Sequence, residues 1–297
     1  MALILLNPPV VEPVSLAELK DFLQVDAGDT SQDDVILALE MAARAWAETY
    51  TSRRFVQQTW RLLMDFFPGY IDLKLAGQKV SSPFVSGSNA VLVGIRYAIV
   101  LPYPPVRSLV LFQYLDANGN VTVMNPATDF TADLQSNPAR LTPPFGRMWP
   151  VARVVVNAIQ VDFTMGYAMP VVVSAGGSPP NLSAVTANAY MFAAADVGRP
   201  ISIPAAGPSG RTLNTVIASI SSPPDSNAIL RDPAAQGYSN QTALLVNAPS
   251  GNPAHWGLIK SGIKMLVNRW FDIRMADEND IPAQVKAVLA PVRDFRF

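Results

Sequence analysis

His255 is the only histidine in the 297 residues, and cysteine is absent. Together these facts narrow the chemistry the chain could perform. Disulfides, thiolate metal sites and thiol catalysis are excluded, and a metal would need an all-carboxylate cage. The acids that do pair, Asp33-Asp34 and the run Asp277-Glu278-Asn279-Asp280, stand where helical patterns begin. Negative charge there compensates exposed amides, so capping is the expected use. A Ser-His-Asp arrangement would need loops to converge on His255, and no G-x-S-x-G elbow accompanies it. Glycine is never followed by lysine, and no G-x-G-x-x-G opens a helix after a strand, so phosphate-cradling loops are absent. His255 reads as a half-exposed residue in the first turn of a helix, beside Trp256. The expectation is a protein that is not an enzyme and holds no cofactor and no metal.

Recognition chemistry remains. Trp46, Tyr50, Trp256 and Trp270 fall on apolar helical stripes, which makes them core residues and not a base-stacking platform. The segment Arg293-Asp294-Phe295-Arg296-Phe297 alternates aromatic and basic side chains beyond the last helix. Arg293, Phe295, Arg296 and Phe297 either pack home on their own domain or anchor the chain in a partner's pocket; both readings stay open.

The elements that must position these residues run helix, strands, helix. Ser15-Leu16-Ala17-Glu18 has the spacing of a reciprocal N-terminal cap, with Val14 and Leu19 as an apolar staple. A longer helix starts near Ser31 and buries Val35, Leu39, Ala42, Trp46 and Tyr50. From Gln57 the period changes to two: Trp60, Leu62, Met64 and Phe66 share one face of a strand. Asn118-Gly119 supplies the positive φ angles of a hairpin turn between Val106–Leu115 and Val121–Met124. Ile159, Val161, Phe163 and Met165 line one side of a further strand. Residues 169 to 252 are poor in charge, rich in Ser, Ala, Pro and Asn, and punctuated by Pro-Pro and Gly-Gly, which marks a separate small β-module. Asn252-Pro253 restarts helix, and Trp256, Ile259, Ile263, Leu266, Trp270 and Ile273 step at the spacing of a helix-packing seam. A last short helix lies between Pro282 and Pro291. The expected fold class is α+β: a helical bundle from the N- and C-terminal helices, interrupted by a small antiparallel β-sheet segment and by an inserted β-module.

Charged residues make up 15% of the chain and hydrophobic ones 49%. An ordinary soluble domain carries about 25% charged residues. A surface this poor in charge is expected to have partners, or to carry Ser, Thr and Asn where other β-rich proteins carry Lys and Glu. With 22 basic against 23 acidic residues, the formal net charge is −1, which excludes the basic footprint of tight nucleic-acid binding. No apolar run is long enough to span a membrane, no signal peptide is expected, and the lack of cysteine fits assembly in a reducing cytoplasm.

Pro13-Val14-Ser15-Leu16-Ala17-Glu18-Leu19-Lys20, the helix Asp34 to Tyr50 running into Thr51-Ser52-Arg53-Arg54-Phe55, and Gln58-Thr59-Trp60 resemble the bacteriophage head-tail connector (adaptor, head-completion) family. So do Leu101-Pro102-Tyr103-Pro104-Pro105-Val106, Tyr114-Leu115-Asp116-Ala117-Asn118-Gly119, Pro138-Ala139-Arg140-Leu141, Trp149-Pro150, and the helix Ile259 to Arg274 leading into Ile281-Pro282-Ala283-Gln284-Val285. The resemblance covers roughly residues 10 to 168 and 253 to 297. It implies a structural virion protein made in the host cytoplasm and placed in the neck, as a homo-oligomeric ring, commonly of twelve. Such a ring docks on the portal, meets a tail or stopper protein, and extends a channel through which genomic DNA passes without specific binding. The tail residues Arg293, Phe295, Arg296 and Phe297 map onto the family's portal-reaching end. In these terms residues 1–58 are the N-terminal helices of the connector core, 59–168 its β segment, 169–252 the inserted module, and 253–297 its C-terminal helices and tail. Phe192-Ala193-Ala194-Ala195-Asp196-Val197-Gly198-Arg199-Pro200-Ile201 resembles β-modules of phage tail and surface proteins. A second reading therefore stands beside the first: a phage tail or surface β-protein binding carbohydrate or another virion protein.

Overall fold

Ser15 opens the first helix as its spacing predicts. Its hydroxyl accepts the Glu18 amide at 3.3 Å, and the Glu18 carboxylate receives the Ser15 amide at 3.4 Å. That helix, α1 (Leu16–Leu23), stops where Gln24 turns left-handed, and α2 (Asp33–Thr51) follows with Asp33 and Asp34 in its first turn. The computed structural model describes residues 1–68, 97–176, 181–246, 254–277 and 281–293. Two more helices lie among them, α3 (Ala254–Ile273) and α4 (Ala283–Leu289).

A helical bundle is not the framework of this protein. Strands occupy 34% and helices 25%, and the largest closed element is a six-stranded barrel. The expectation failed because several strands have only three or four residues, too short for a period of two to stand out. The strands in chain order are β1 (Ala2–Asn7), β2 (Gln58–Met64), β3 (Ile99–Leu101), β4 (Val106–Leu115), β5 (Val121–Val123), β6 (Thr131–Asp133) and β7 (Ala139–Thr142). There follow β8 (Ile159–Met165), β9 (Ala168–Gly176), β10 (Asn181–Ala187), β11 (Pro200–Ile203), β12 (Leu213–Ser219), β13 (Asn227–Leu230) and β14 (Gln241–Val246).

Contacts divide the chain into two units. The first joins Met1–Pro8 to Gln58–Met165. It holds an antiparallel five-stranded sheet in the order β1-β2-β8-β4-β5 and a three-stranded sheet β3-β7-β6. Leu62, Val161, Phe163 and Phe112 project from one face of the larger sheet into a core shared with Leu101 and Leu141. Phe67 stacks on Trp149 at 5.1 Å, and both rings meet Phe112 at its edge or tilted. All four apolar positions expected on β8 are buried, whereas Phe66 lies past the end of β2 and is exposed. At the β4–β5 turn only Gly119 takes a positive φ; the Asp116 carboxylate organises the rest by accepting the Asn118 and Asn120 amides.

The second unit comprises Pro9–Gln57 and Gly166–Phe297. Its barrel closes in the order β10-β13-β12-β11-β14-β9. Val173, Val185, Ile201, Ile203, Ile217 and Phe192 are fully buried, so side chains fill the interior, as expected for a barrel this narrow. A second core packs α2, α3 and α4 with Leu244 and Val246 of β14. On α3 the seam from Trp256 to Trp270 is buried as its spacing predicts, and Ile273 at its end is exposed. On α2 the buried face is turned from the expected one: Ile36, Leu39, Glu40, Ala43, Ala47 and Glu48 point inward, while Val35 is exposed. Two inward acids misled the apolar count. Gly262 lets α4 approach α3, since a Cβ there would stand 2.8 Å from Leu289.

Candidate functional site

Three groups of residues could carry function: a buried polar seam, the tail, and the exposed apolar surfaces. The seam belongs to the second unit. Lys260 lies on the buried face of α3, where an ammonium must find partners or lose its proton. It reaches both oxygens of Glu18, at 2.9 and 2.7 Å, and the Asn214 side-chain oxygen at 3.2 Å. Asn214 in turn donates to Glu18 at 2.8 Å and accepts from Ser202 at 2.6 Å. Ser15 and Thr212 share a hydrogen bond of 2.6 Å. One polar node therefore joins α1, α3 and barrel strands β11 and β12. Burial pushes the Glu18 carboxyl up, but Lys260 and the hydrogen bonds outweigh it and hold the group below its ordinary range. Burial dominates for Lys260 and lowers it despite the Glu18 charge.

Along α2 a second chain of charges runs from Glu12 to Arg44 at 2.6 Å, from Arg44 to Glu48 at 3.2 Å, and from Glu48 to the Phe55 amide at 2.8 Å. It fixes the exit of the helix, where Ala168 donates to Phe55 and Gln57 to Ala168, each at 2.9 Å. Glu40, fully buried, accepts the Val14 amide at 3.0 Å. Burial, with the Glu12 charge nearby, pushes its carboxyl up to about 8. These acids face packed backbone and helix, not a substrate-sized opening, and their geometry does structural work. The signal for the node was present in the sequence, as a lysine inside an apolar stripe, and was missed.

The singled-out residues scatter. His255 is half-buried at the start of α3. Asp33 pairs with Lys20 at 2.6 Å and Asp34 is exposed. Asp277 accepts the Trp270 indole through its carbonyl at 3.1 Å, and Glu278 to Asp280 fall outside the described residues. Arg293 lays its guanidinium 4.8 Å from the centre of the Tyr50 ring, which stacks on Trp46 at 5.1 Å. Phe295, Arg296 and Phe297 lie outside the described residues. Asp196, in the quoted β-module motif, is buried and accepts from the Ala193 amide at 2.8 Å, from Tyr190 at 2.9 Å and from Arg199. It locks the turn that leads into β11.

What remains are surfaces. In the first unit the 143–157 segment exposes Phe145, Met148, Val151, Val154 and Val156, with Phe145 wholly in solvent. The same unit exposes Ile4, Leu5 and Leu6 on β1 and Val110, Val121 and Val123 on β4 and β5. Across the open face of its large sheet Arg61 grips Asp162 through two bonds of 2.8 Å, and Gln160 and Gln113 continue the row. In the second unit α2 turns Leu37, Ala38, Met41 and Ala45 outward. Where exposed apolar groups are contiguous they are candidates for an interaction surface.

No protein-family model matches the chain, and no curated protein does. Solved structures do. A chain in the neck of an empty GTA particle computed with C6 symmetry aligns over 100% of this chain and 97% of its own, with a TM-score of 0.51 and 14% identity. A chain in the virion of a native gene transfer agent (GTA) particle aligns equally, with a TM-score of 0.51 and 14% identity. At that identity the likeness establishes a shared fold.

Proposed function

We propose that this chain is a structural subunit of a phage-type virion neck: a head-tail connector that assembles as a ring, docks on the portal and carries the DNA channel towards the tail. The observation that carries the reading is the end-to-end fold likeness to chains of gene transfer agent neck and virion particles. The connector resemblance at both helical ends of the sequence and the exposed apolar surfaces support it.

In this reading the protein performs no reaction. Its work is to bury two different, mutually complementary side surfaces in a cyclic head-to-tail interface, leaving an aqueous passage. A net charge of −1 suits such a passage, because a strongly basic wall would hold the polyanion that must slide through it. The sixfold symmetry of the neck reconstruction is compatible with a ring of six or of twelve. Native mass spectrometry, alone and with the portal protein, tests the proposal; a mass near twelve times 32.0 kDa is expected. A chain that stays monomeric even with the portal present overturns it.

The barrel favours a second reading, in which the protein is a tail or surface module binding carbohydrate or another virion protein. Its filled interior leaves only outer surfaces for a ligand. Charged substitutions at exposed Met191 and Val197 of the β10–β11 connection, which leave the barrel core in place, separate the two. Retained ring formation supports the connector, while loss of neck assembly makes the barrel the working part.

A further inference from the structure

Asn118-Gly119 turns the chain between β4 and β5, and it is the only Asn-Gly step in the sequence. Such a step also carries a reaction. Glycine leaves the asparagine side chain open to the backbone nitrogen that follows it, because no Cβ stands in the way. The Gly119 nitrogen gives up its proton and bonds to Asn118 Cγ. The Cγ–Nδ2 bond breaks, the side-chain nitrogen takes up the proton and leaves as ammonia, and a five-membered succinimide remains. Water then opens the ring. Cleavage between Cγ and the Gly119 nitrogen restores the main chain and leaves aspartate at 118. Cleavage at the α-carbonyl leaves isoaspartate, whose main chain runs through Cγ and is longer by one carbon. Either way one amide and one water become one carboxylate and one ammonium.

Asn118 itself does not oppose this, since it is exposed and its side chain makes no hydrogen bond among the described residues. Opposition comes from Asp116. Its carbonyl accepts the Gly119 amide at 2.9 Å, so the nucleophile is tied through the proton it must lose. That bond closes a four-residue turn, and the nitrogen meets Cγ only by rotating out of it. One carboxylate oxygen accepts the Asn118 amide at 2.9 Å and the Asn120 amide at 2.8 Å, and the other takes the Asn120 side chain at 3.2 Å. The peptide units on both sides of the reacting nitrogen are thereby held. Hydrogen bonds, from the Asn120 amide first and then from Asn118 and Gly119, keep the Asp116 carboxyl below its ordinary range. The carboxylate is therefore ionised, and it disfavours a second negative charge on the neighbouring nitrogen. Arg153, whose guanidinium lies against Gly119, has the opposite charge effect. It is exposed and screened by water, so the direct hydrogen bonds outweigh it.

We propose that Asn118 is a site of spontaneous deamidation that Asp116 holds closed, so that the chain is modified there only when the turn loosens. The inference stands apart from the connector reading. Its consequence is local: the turn fixes the register of β4 on β5, from Gln113 opposite Val123 to Leu115 opposite Val121. Aspartate at 118 would set a second carboxylate beside Asp116, and isoaspartate would lengthen the turn.

To test this, the full chain is incubated in mildly alkaline buffer and peptide-mapped by mass spectrometry for a gain of one mass unit at 118. Enzymatic methylation reads the isoaspartate. A synthetic peptide covering residues 114 to 121 gives the rate without the fold. The parent is expected to react slower than the peptide by about ten-fold or more, the worth of one charge-assisted hydrogen bond. Asp116→Ala, and the milder Asp116→Asn, should each speed modification at 118 at temperatures below their own melting, Ala the more. Asn118→Gln should stay unmodified there. A parent that reacts as fast as the peptide overturns the proposal. So do equal rates in the parent and in whichever Asp116 variants fold, or modification concentrated at another asparagine.

Discussion

Glu40 and Lys260 place ionisable groups where water does not reach, and each predicts a measurable effect. Burial, with the Glu12 charge nearby, pushes the Glu40 carboxyl up to about 8 in the fold, from an ordinary value near 4.5. Between these values the folded state holds a proton that the unfolded chain has released, so this residue makes stability fall as pH rises from about 4.5 to about 8, and level off above. Glu40→Gln keeps an acceptor for the Val14 amide and removes the titration. Its thermal midpoint should exceed that of the parent by roughly 3 °C or more at pH 8.5, and the two should converge at about pH 5. At Lys260 the expectation is opposite in sign. Lys260→Met strands the half-buried Glu18 carboxylate and should cost about 2 kcal/mol in chemical denaturation. Pairing it with Glu18→Met should cost less than the two single changes summed, because the uncompensated charge is gone. His255, the residue most open to a catalytic reading, stands apart from both groups.

Elements were legible in the sequence to the extent that one physical rule governed them. The Ser15 cap, the α3 seam and β8 each followed from a single periodicity or cap, and the structure has them. The α2 face did not, because Glu40 and Glu48 sit inward and only tertiary partners, Val14, Arg44 and Phe55, make that tolerable. The short run Ala2 to Leu6 showed no alternation, because five of the six β1 positions are exposed and neither face is set apart as a core face, and so β1 went unread. Barrel closure was invisible for a similar reason: strands β11 and β13 have four residues each, and their partners are set by long-range register. The entry to β9 depends on Gly166, whose φ is +127° and whose Cβ, if present, would lie 2.5 Å from the Val56 backbone. Neither backbone can yield without breaking the bridge between Val56 and Ala168. Gly166→Ala should therefore destabilise the chain by about 3 kcal/mol, read from the denaturant midpoint.

For the whole molecule, the tail supplies a test that separates folding from assembly. Arg293 leans on Tyr50, so Arg293→Ala should cost stability of only about 0.5–1 kcal/mol. Removal of residues 295 to 297 should weaken portal docking, measured by co-sedimentation, and leave the thermal midpoint unchanged; an equal fall in that midpoint would assign Phe295 and Phe297 to the core. The uncharged strand Ala2–Asn7 bears on how the protein behaves before any partner arrives. An uncharged apolar strand that pairs on one side only among the described residues is a template for aggregation, so purified subunit should cloud on standing, faster as concentration rises. Light scattering should show Ile4→Lys staying clear under the same conditions. The subunit's shelf life, then, would be set by the outward edge of one strand and not by its melting temperature.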